Sequence, residues 1–354
     1  MNSASSQEVV TVRDEHGEEI GWLVIDKLVG GLAFGGFRFS PDVTRAEVER
    51  LARCMSHKLA LHGHPVGGAK AGLRCDPRGP GVEALLDRFA EAAGDALSTR
   101  AVVGRDMGAT DALIDGLYER LGIAQMSIAG VNGRLREMAG YRRHMTGLGV
   151  AYAARRAFGG DLSGVRVAIQ GFGLVGAGSA LRLSAMGGSI VAVSDASGAL
   201  IEPDGIDVEA LLQASGGSRA LPRGAGASPR DGLFSVDADL VLLAASSNSV
   251  DERHARAITA KVVVEGANFG LTDAAREALL EQGVCVIPDL IASSSSAAMV
   301  ARQMRAGGRL TEEELWSEIE SAIDTATARA LDRALAEGID VRTAYLREHG
   351  ASKN

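Results

Sequence analysis

The chain has 354 residues, 46 % of them hydrophobic, 23 % charged and only 4 % aromatic, with a formal net charge of −8. This composition excludes bulk disorder, and an acidic chain without a long basic run is a poor match for nucleic acid. No apolar run reaches the roughly 18 residues of a membrane span, and three cysteines (Cys54, Cys75, Cys285) without CxxC spacing argue for a reducing, cytoplasmic setting.

The length predicts two domains. Val9–Val12 and Trp22–Ile25 flank the polar turn Asp14–Gly17, a β-hairpin signal, and the glycine-rich stretch Gly30–Phe37 follows. Thr44-Arg45-Ala46-Glu47 reads as a capping box opening an amphipathic helix to about Leu61, with Val48, Leu51, Ala52, Met55 and Leu59 on its apolar face. A helix from about Val82 to Ala96 and a short strand Ala101–Val103 come next. The segment 123–140 has no period, which places a domain boundary there, between 1–135 and 136–305. A helix over Thr146–Phe158 precedes the buried-strand run Val165–Gln170. Strands at Ser189–Ser194, Ala238–Leu243, Lys261–Val264 and Gly283–Ile287 then alternate with helices, as in a parallel, doubly wound sheet. After a break at 306–308, a second capping box, Thr311 with Glu314, opens a helix that stops near Gly338. This C-terminal helix is predicted to pack back on the first domain.

Gly171-Phe172-Gly173-Leu174-Val175-Gly176 sits between a predicted strand and a predicted helix, and Asp195 ends the next strand nineteen residues later. Strand, glycines, helix and acid together form the dinucleotide fingerprint. Gly171 permits the tight turn, Gly173 lets a pyrophosphate reach the helix N-terminus, and Gly176 lets helix and strand pack closely. Asp195 has no basic neighbour in sequence to take a 2′-phosphate, which favours NAD over NADP. Lys70 falls in a glycine-rich turn with almost no nearby charge, where desolvation would lower its pKa and suit it to act as a base. His57, His62 and His64 are close in sequence, but no metal site is expected, and Cys54 and Cys75 read as small packed side chains.

Gly35-Gly36-Phe37-Arg38-Phe39, Lys58, Pro65-Val66-Gly67-Gly68-Ala69-Lys70-Ala71-Gly72, Gly104-Arg105-Asp106-Met107-Gly108, Thr146-Gly147-Leu148-Gly149-Val150, Gln170-Gly171-Phe172-Gly173, Ser194-Asp195 and Glu265-Gly266-Ala267-Asn268 occur in this order. Together they resemble the glutamate/leucine/phenylalanine/valine dehydrogenases over about 30–300. The resemblance implies an α/β protein with an N-terminal substrate and oligomerisation domain and a Rossmann domain. It also implies reversible oxidative deamination of an L-amino acid to its 2-oxo acid and ammonia. On that resemblance Lys58 holds the substrate carboxylate, with Gly36 beside it. Lys70 activates water, Asp106 exchanges protons with the amino group, and Asn268 lies near substrate and nicotinamide. Thr146, Phe172, Leu174, Val175 and Ala245 join Gly171, Gly173, Gly176 and Asp195 around NAD.

Glutamate dehydrogenases of this family carry a lysine where this chain has Phe34. A buried glutamate carboxylate without a cation is costly, so an apolar side chain is expected, aromatic ones included. Gly104, Ala297 and Val300 match the remaining pocket positions, and Phe34 either stacks on the substrate or fills part of the space. This leans toward the leucine/phenylalanine branch. Ser293–Ser296 replaces the family's usual Asn-Ala-Gly-Gly and is expected to form a loop at the cofactor. The departure leaves two further readings open: a relative acting on an unusual amino acid or an imine, and a cofactor-binding regulatory protein without turnover. The partners expected are the amino acid or 2-oxo acid and further copies of the chain.

Overall fold

The computed structural model describes residues 7–123, 145–216, 220–222, 224, 228–305 and 311–349. The expected domain boundary and the break at 306–308 lie outside the described residues. By contacts the chain divides into one unit of residues 1–139 and 300–307 and a second of 140–299 and 308–354.

In the first unit the alternating apolar residues of β1 (Glu8–Arg13) and β2 (Glu19–Ile25) pair antiparallel around the predicted turn. β3 (Ala33–Phe39) and β4 (Gly67–Leu73) are both buried along their whole length, and with β5 (Ala101–Arg105) they complete a sheet ordered β1-β2-β4-β3-β5. β4 runs antiparallel to β2, whereas β3 is parallel to both β4 and β5. Lys70 therefore lies in a central strand, not in the turn its glycine-rich surroundings predicted. Here the glycines permit close packing rather than turning. A Cβ at Gly35 would fall 1.7 Å from the Ala69 carbonyl, and one at Gly68 would fall 2.2 Å from the Ser56 amide of α1 (Arg45–Leu61). α1 covers this sheet, burying Val48 and Ala52 with Trp22, Val24 and Val43. α2 (Val82–Thr99) and α3 (Asp111–Arg120) belong to the same unit.

The second unit opens with α4 (Met145–Ala157). Its sheet, ordered β11-β10-β9-β6-β7-β8, contains β6 (Arg166–Gln170), β7 (Ser189–Asp195), β9 (Leu240–Leu243), β10 (Val262–Glu265) and β11 (Cys285–Ile287), all parallel as predicted. The unpredicted edge strand β8 (Gly198–Ile201) runs antiparallel to β7. α5 (Leu174–Ala185) follows β6 directly, and α6 (Val208–Ala214), α7 (Glu252–Ala257) and α8 (Asp273–Glu281) come later in the unit.

The C-terminal α11 (Glu312–Glu337) and α12 (Val341–His349) belong to this second unit, so the predicted return to the first domain is corrected. α11 packs on α4, where Arg155 pairs with Glu320 at 2.8 Å, and Arg342 of α12 pairs with Asp289 at 2.6 Å. Ser293–Ser296 is corrected as well. Ser293 caps the short helix α9 (Asp289–Ala292), and Ser295 and Ser296 open α10 (Ser295–Arg305). The first three serines are buried: the Ser293 and Ser294 hydroxyls donate to the local carbonyls of Asp289 and Ile291, and the Ser295 hydroxyl donates to the distant Met145 carbonyl at the start of α4.

Candidate active site

In the first unit, β3, β4 and the residue after β5 bring Arg38, Lys70 and Asp106 together. Lys70 is 3 % exposed, and its Nζ lies 2.8 Å from Asp106 Oδ2. Arg38 Nε donates to the same oxygen at 3.0 Å. Gly36 pairs with Gly104 across β3 and β5, and it leaves space above the cluster: a Cβ there would fall 2.8 Å from Asp106 Cβ and 3.2 Å from Lys70 Nζ. Lys58 is buried near the end of α1, and its charge reaches Lys70.

Burial pushes the Lys70 amine below the usual lysine range, with the Arg38 and Lys58 cations acting in the same direction and Asp106 opposing them. Burial alone would raise the Asp106 carboxyl, but Lys70 and Arg38 outweigh it and hold the group well below the usual carboxylate range. The result is a persistent carboxylate beside an amine that gives up its proton more easily than an exposed lysine does, a combination suited to moving protons on and off a bound amine or imine.

Phe34 is 7 % exposed and borders Gly104, where an added Cβ would lie 3.6 Å from its ring. Phe34, Gly104 and Gly36 thus share one stretch of the β3–β5 pair. Ala297 and Val300 lie one turn apart on α10, but Ala297 belongs to the second unit and Val300 to the first.

In the second unit the fingerprint has the predicted geometry. Gly171 takes φ +92° beside the backbone of Ala244 and Ala245, and a Cβ at Gly176 would fall 1.7 Å from the Gly171 carbonyl. Gly173 is the N-cap of α5 and supplies no side-chain cap, and space is open around it. Free amides at an open helix N-terminus fit a pyrophosphate. Leu174 and Val175 begin this helix, whereas the Phe172 side chain is buried, which limits its contribution to backbone. Thr146 Oγ1 meets Ser296 Oγ at 3.3 Å near the start of α4. The Asn268 carbonyl accepts from Ser247 Oγ at 2.8 Å.

Asp195 ends β7 as expected, but its carboxylate also clamps the local loops, accepting from Ser197 N and Oγ and from Leu221 N at 2.6–2.7 Å. Arg230 lines the same groove as Ala196, Ser197 and Gly198. A cation from a distant segment thus shares a groove with the residues that follow Asp195.

Arg38 and Glu47, which pair with each other, form part of the Lys70–Asp106 cluster without having been singled out in the sequence as site residues. The available signal was Arg38 itself, a charged residue in an otherwise apolar, glycine-rich run.

Two family models account for most of the chain: "Glu/Leu/Phe/Val dehydrogenase, dimerisation domain" over residues 6–121 and "Glutamate/Leucine/Phenylalanine/Valine dehydrogenase" over 139–349. The chain is 33 % identical over 318 residues to the NADP-specific glutamate dehydrogenase of Saccharolobus shibatae, covering 83 % of this chain and 74 % of that one. It is 31 % identical over 327 residues to the NAD-specific glutamate dehydrogenase of Staphylococcus aureus, covering 88 % and 78 %. Its fold matches the hetero-hexameric glutamate dehydrogenase of Thermus thermophilus in a leucine-bound form, with a TM-score of 0.77, 28 % identity and coverage of 96 % and 86 %. All three are glutamate dehydrogenases, so the leaning toward the leucine/phenylalanine branch finds no support in them. With both domains matched in order, the chain belongs to the glutamate/leucine/phenylalanine/valine dehydrogenase family and is an amino-acid dehydrogenase of the kind that uses a nicotinamide cofactor.

Proposed function

We propose that this enzyme catalyses the reversible, NAD-dependent oxidative deamination of a hydrophobic L-amino acid, aromatic ones included. The observation that carries the substrate class is Phe34, buried against Gly104 on the strand that also carries Gly36 and Arg38. A glutamate side-chain carboxylate beside that ring would lose water without gaining a cation. The other positions that the family resemblance assigns to the side chain, Gly104, Ala297 and Val300, are also uncharged.

In this reading Lys58 fixes the substrate α-carboxylate and Asp106 takes a proton from the amino group. Lys70 draws a proton from the water that attacks the imine carbon. A nicotinamide cofactor with its pyrophosphate on the Gly171–Gly176 turn would supply the hydride acceptor. Amino acid, water and oxidised cofactor become 2-oxo acid, ammonium, reduced cofactor and a proton. Asp195 at the end of β7 supports NAD through the ribose hydroxyls. Arg230 in the adjoining groove favours NADP as the second reading. The dimerisation-domain match supports a homo-oligomer, and three cysteines that form no disulfide suit a reducing, cytoplasmic setting.

The test is a panel of L-amino acids, each with NAD and NADP, followed by the absorbance of reduced cofactor. Leucine, valine, methionine or phenylalanine should exceed glutamate by about 100-fold in kcat/KM, a difference that an uncompensated buried carboxylate readily supplies. A preference for glutamate overturns the substrate class. Activity confined to a cyclic imine, or cofactor binding with no turnover, moves the chain to one of the other two readings.

A further inference from the structure

The capping pattern at the start of α1 is only half made. Thr44 Oγ1 accepts from the Glu47 amide at 3.3 Å, as a capping box requires, but the Glu47 carboxylate does not return to the Thr44 amide. It pairs instead with Arg38 Nη1. The same Thr-x-x-Glu pattern at Thr311 makes both halves, with the Thr311 amide donating to Glu314 at 3.0 Å. The pattern therefore suffices for a full box, and at α1 the acid has been drawn to Arg38.

Arg38 in turn is buried, its side chain 5 % exposed, with one carboxylate at each end of its guanidinium. Charged side chains are rarely buried this deeply unless paired. Its Nε and the Lys70 ammonium share Asp106 Oδ2, which leaves Oδ1 without a bond from the described residues. A guanidinium keeps its charge at every working pH, whereas the Lys70 amine must lose and regain its own if it serves as the base.

We propose that Arg38, braced by Glu47, is the positioning residue for Asp106. It fixes the carboxylate with Oδ1 presented to the substrate amine and keeps a permanent counter-charge beside it whenever Lys70 is neutral. This rests on the roles given above to Lys70 and Asp106.

Arg38→Ala and Arg38→Lys test it against a simple tether between β3 and α1. Arg38→Ala should lower kcat about 100-fold while the amino-acid KM stays within about threefold, and millimolar guanidinium should restore part of the rate. Arg38→Lys keeps a charge and the fold but loses the two-ended fork, and kcat should fall about tenfold. Carbon-13 NMR of the Asp106 carboxyl in the cofactor-free protein supplies a readout independent of turnover. In Arg38→Lys and in any folded Arg38→Ala, this carboxyl should titrate at higher pH than in the wild type. An unchanged Asp106 titration, or kcat within threefold of wild type in both variants, overturns the proposal. A wild-type enzyme inert toward every amino acid defeats the functional reading instead, and the Asp106 titration still decides the role of Arg38.

Discussion

Lys70 Nζ stands 2.8 Å from Asp106 Oδ2 on a strand with almost no access to water. Burial and the Arg38 and Lys58 cations lower the amine, so the base form is reached at lower pH than for an exposed lysine. Activity in the deaminating direction should therefore rise with pH along a limb clearly below the ordinary lysine value of 10.5. In Lys70→Ala that limb should vanish and kcat should fall about 1000-fold, within the range typical of a lost acid–base group. A pH–rate profile of both proteins checks this, and a limb at the ordinary lysine position contradicts it.

The same pair sets an acid limit on stability. Asp106 binds its proton less readily folded than unfolded, so the unfolded chain takes up more protons as pH falls. The stability from this carboxylate is present above its unfolded pKa of about 4 and is lost below it. Thermal melts between neutral pH and about pH 3 should show wild type losing stability more steeply than Asp106→Asn. Parallel curves would mean that the carboxylate gains nothing from its cations.

Phe34→Lys is the sharpest test of the side-chain pocket. It places an amine where glutamate dehydrogenases of the family carry theirs. Apolar substrates should lose about 100-fold in kcat/KM and glutamate should gain, because the glutamate carboxylate pairs with a buried cation that an apolar side chain would leave desolvated and unpaired. Unchanged preference would remove Phe34 from the pocket.

Two adjacent glycines should separate folding from activity. A methyl at Gly35 meets the Ala69 carbonyl at 1.7 Å, so Gly35→Ala should prevent β3 from pairing with β4 and abolish soluble protein. A methyl at Gly36 meets Asp106 Cβ and the Lys70 ammonium, the latter on a flexible stem. Gly36→Ala should fold, melt within a few degrees of wild type and lose at least about tenfold in kcat/KM. Expression, melting and steady-state kinetics of the two variants decide it.

The Rossmann half was legible because its period is strong: apolar runs of strand length, the Gly171–Gly176 spacing and the terminal Asp195 are each local signals. The first half was less so. β3 and β4 carry too many glycines for a strand signature, and only the contacts of Gly35 with Ala69 and Gly68 with Ser56 show why glycine is required. Arg38, Glu47 and Arg230 were missed because their partners are distant in sequence or, for Glu47, because a local capping rule offered another use for the side chain. The C-terminal helix was misplaced for a similar reason. Its partner α4 is fixed by an ion pair of long separation, Arg155 with Glu320.

That C-terminal connection carries the last prediction. Arg342 of α12 reaches Asp289 at 2.6 Å and Glu265 at 4.0 Å, and both carboxylates are fully buried. Its guanidinium also lies 5.2 Å from the Phe269 ring centre. Arg276 shares Glu265 at 2.7 Å, so removing Arg342 leaves Asp289 the more exposed to an uncompensated charge. Arg342→Met should destabilise the protein by about 3–5 kcal/mol at neutral pH. Burial raises the Glu265 carboxyl, with Asp289 adding to it and the arginines opposing. Taking away Arg342 raises it further, so the folded variant holds this proton to higher pH than the unfolded chain does, and ionisation then works against folding. The deficit relative to wild type should therefore shrink as pH falls below neutral and protonation of Glu265 relieves the buried charge. Denaturant unfolding of both proteins at neutral pH and near pH 5 measures it. A deficit that is constant with pH would place the contribution of Arg342 in its packing on Phe269 rather than in its charge.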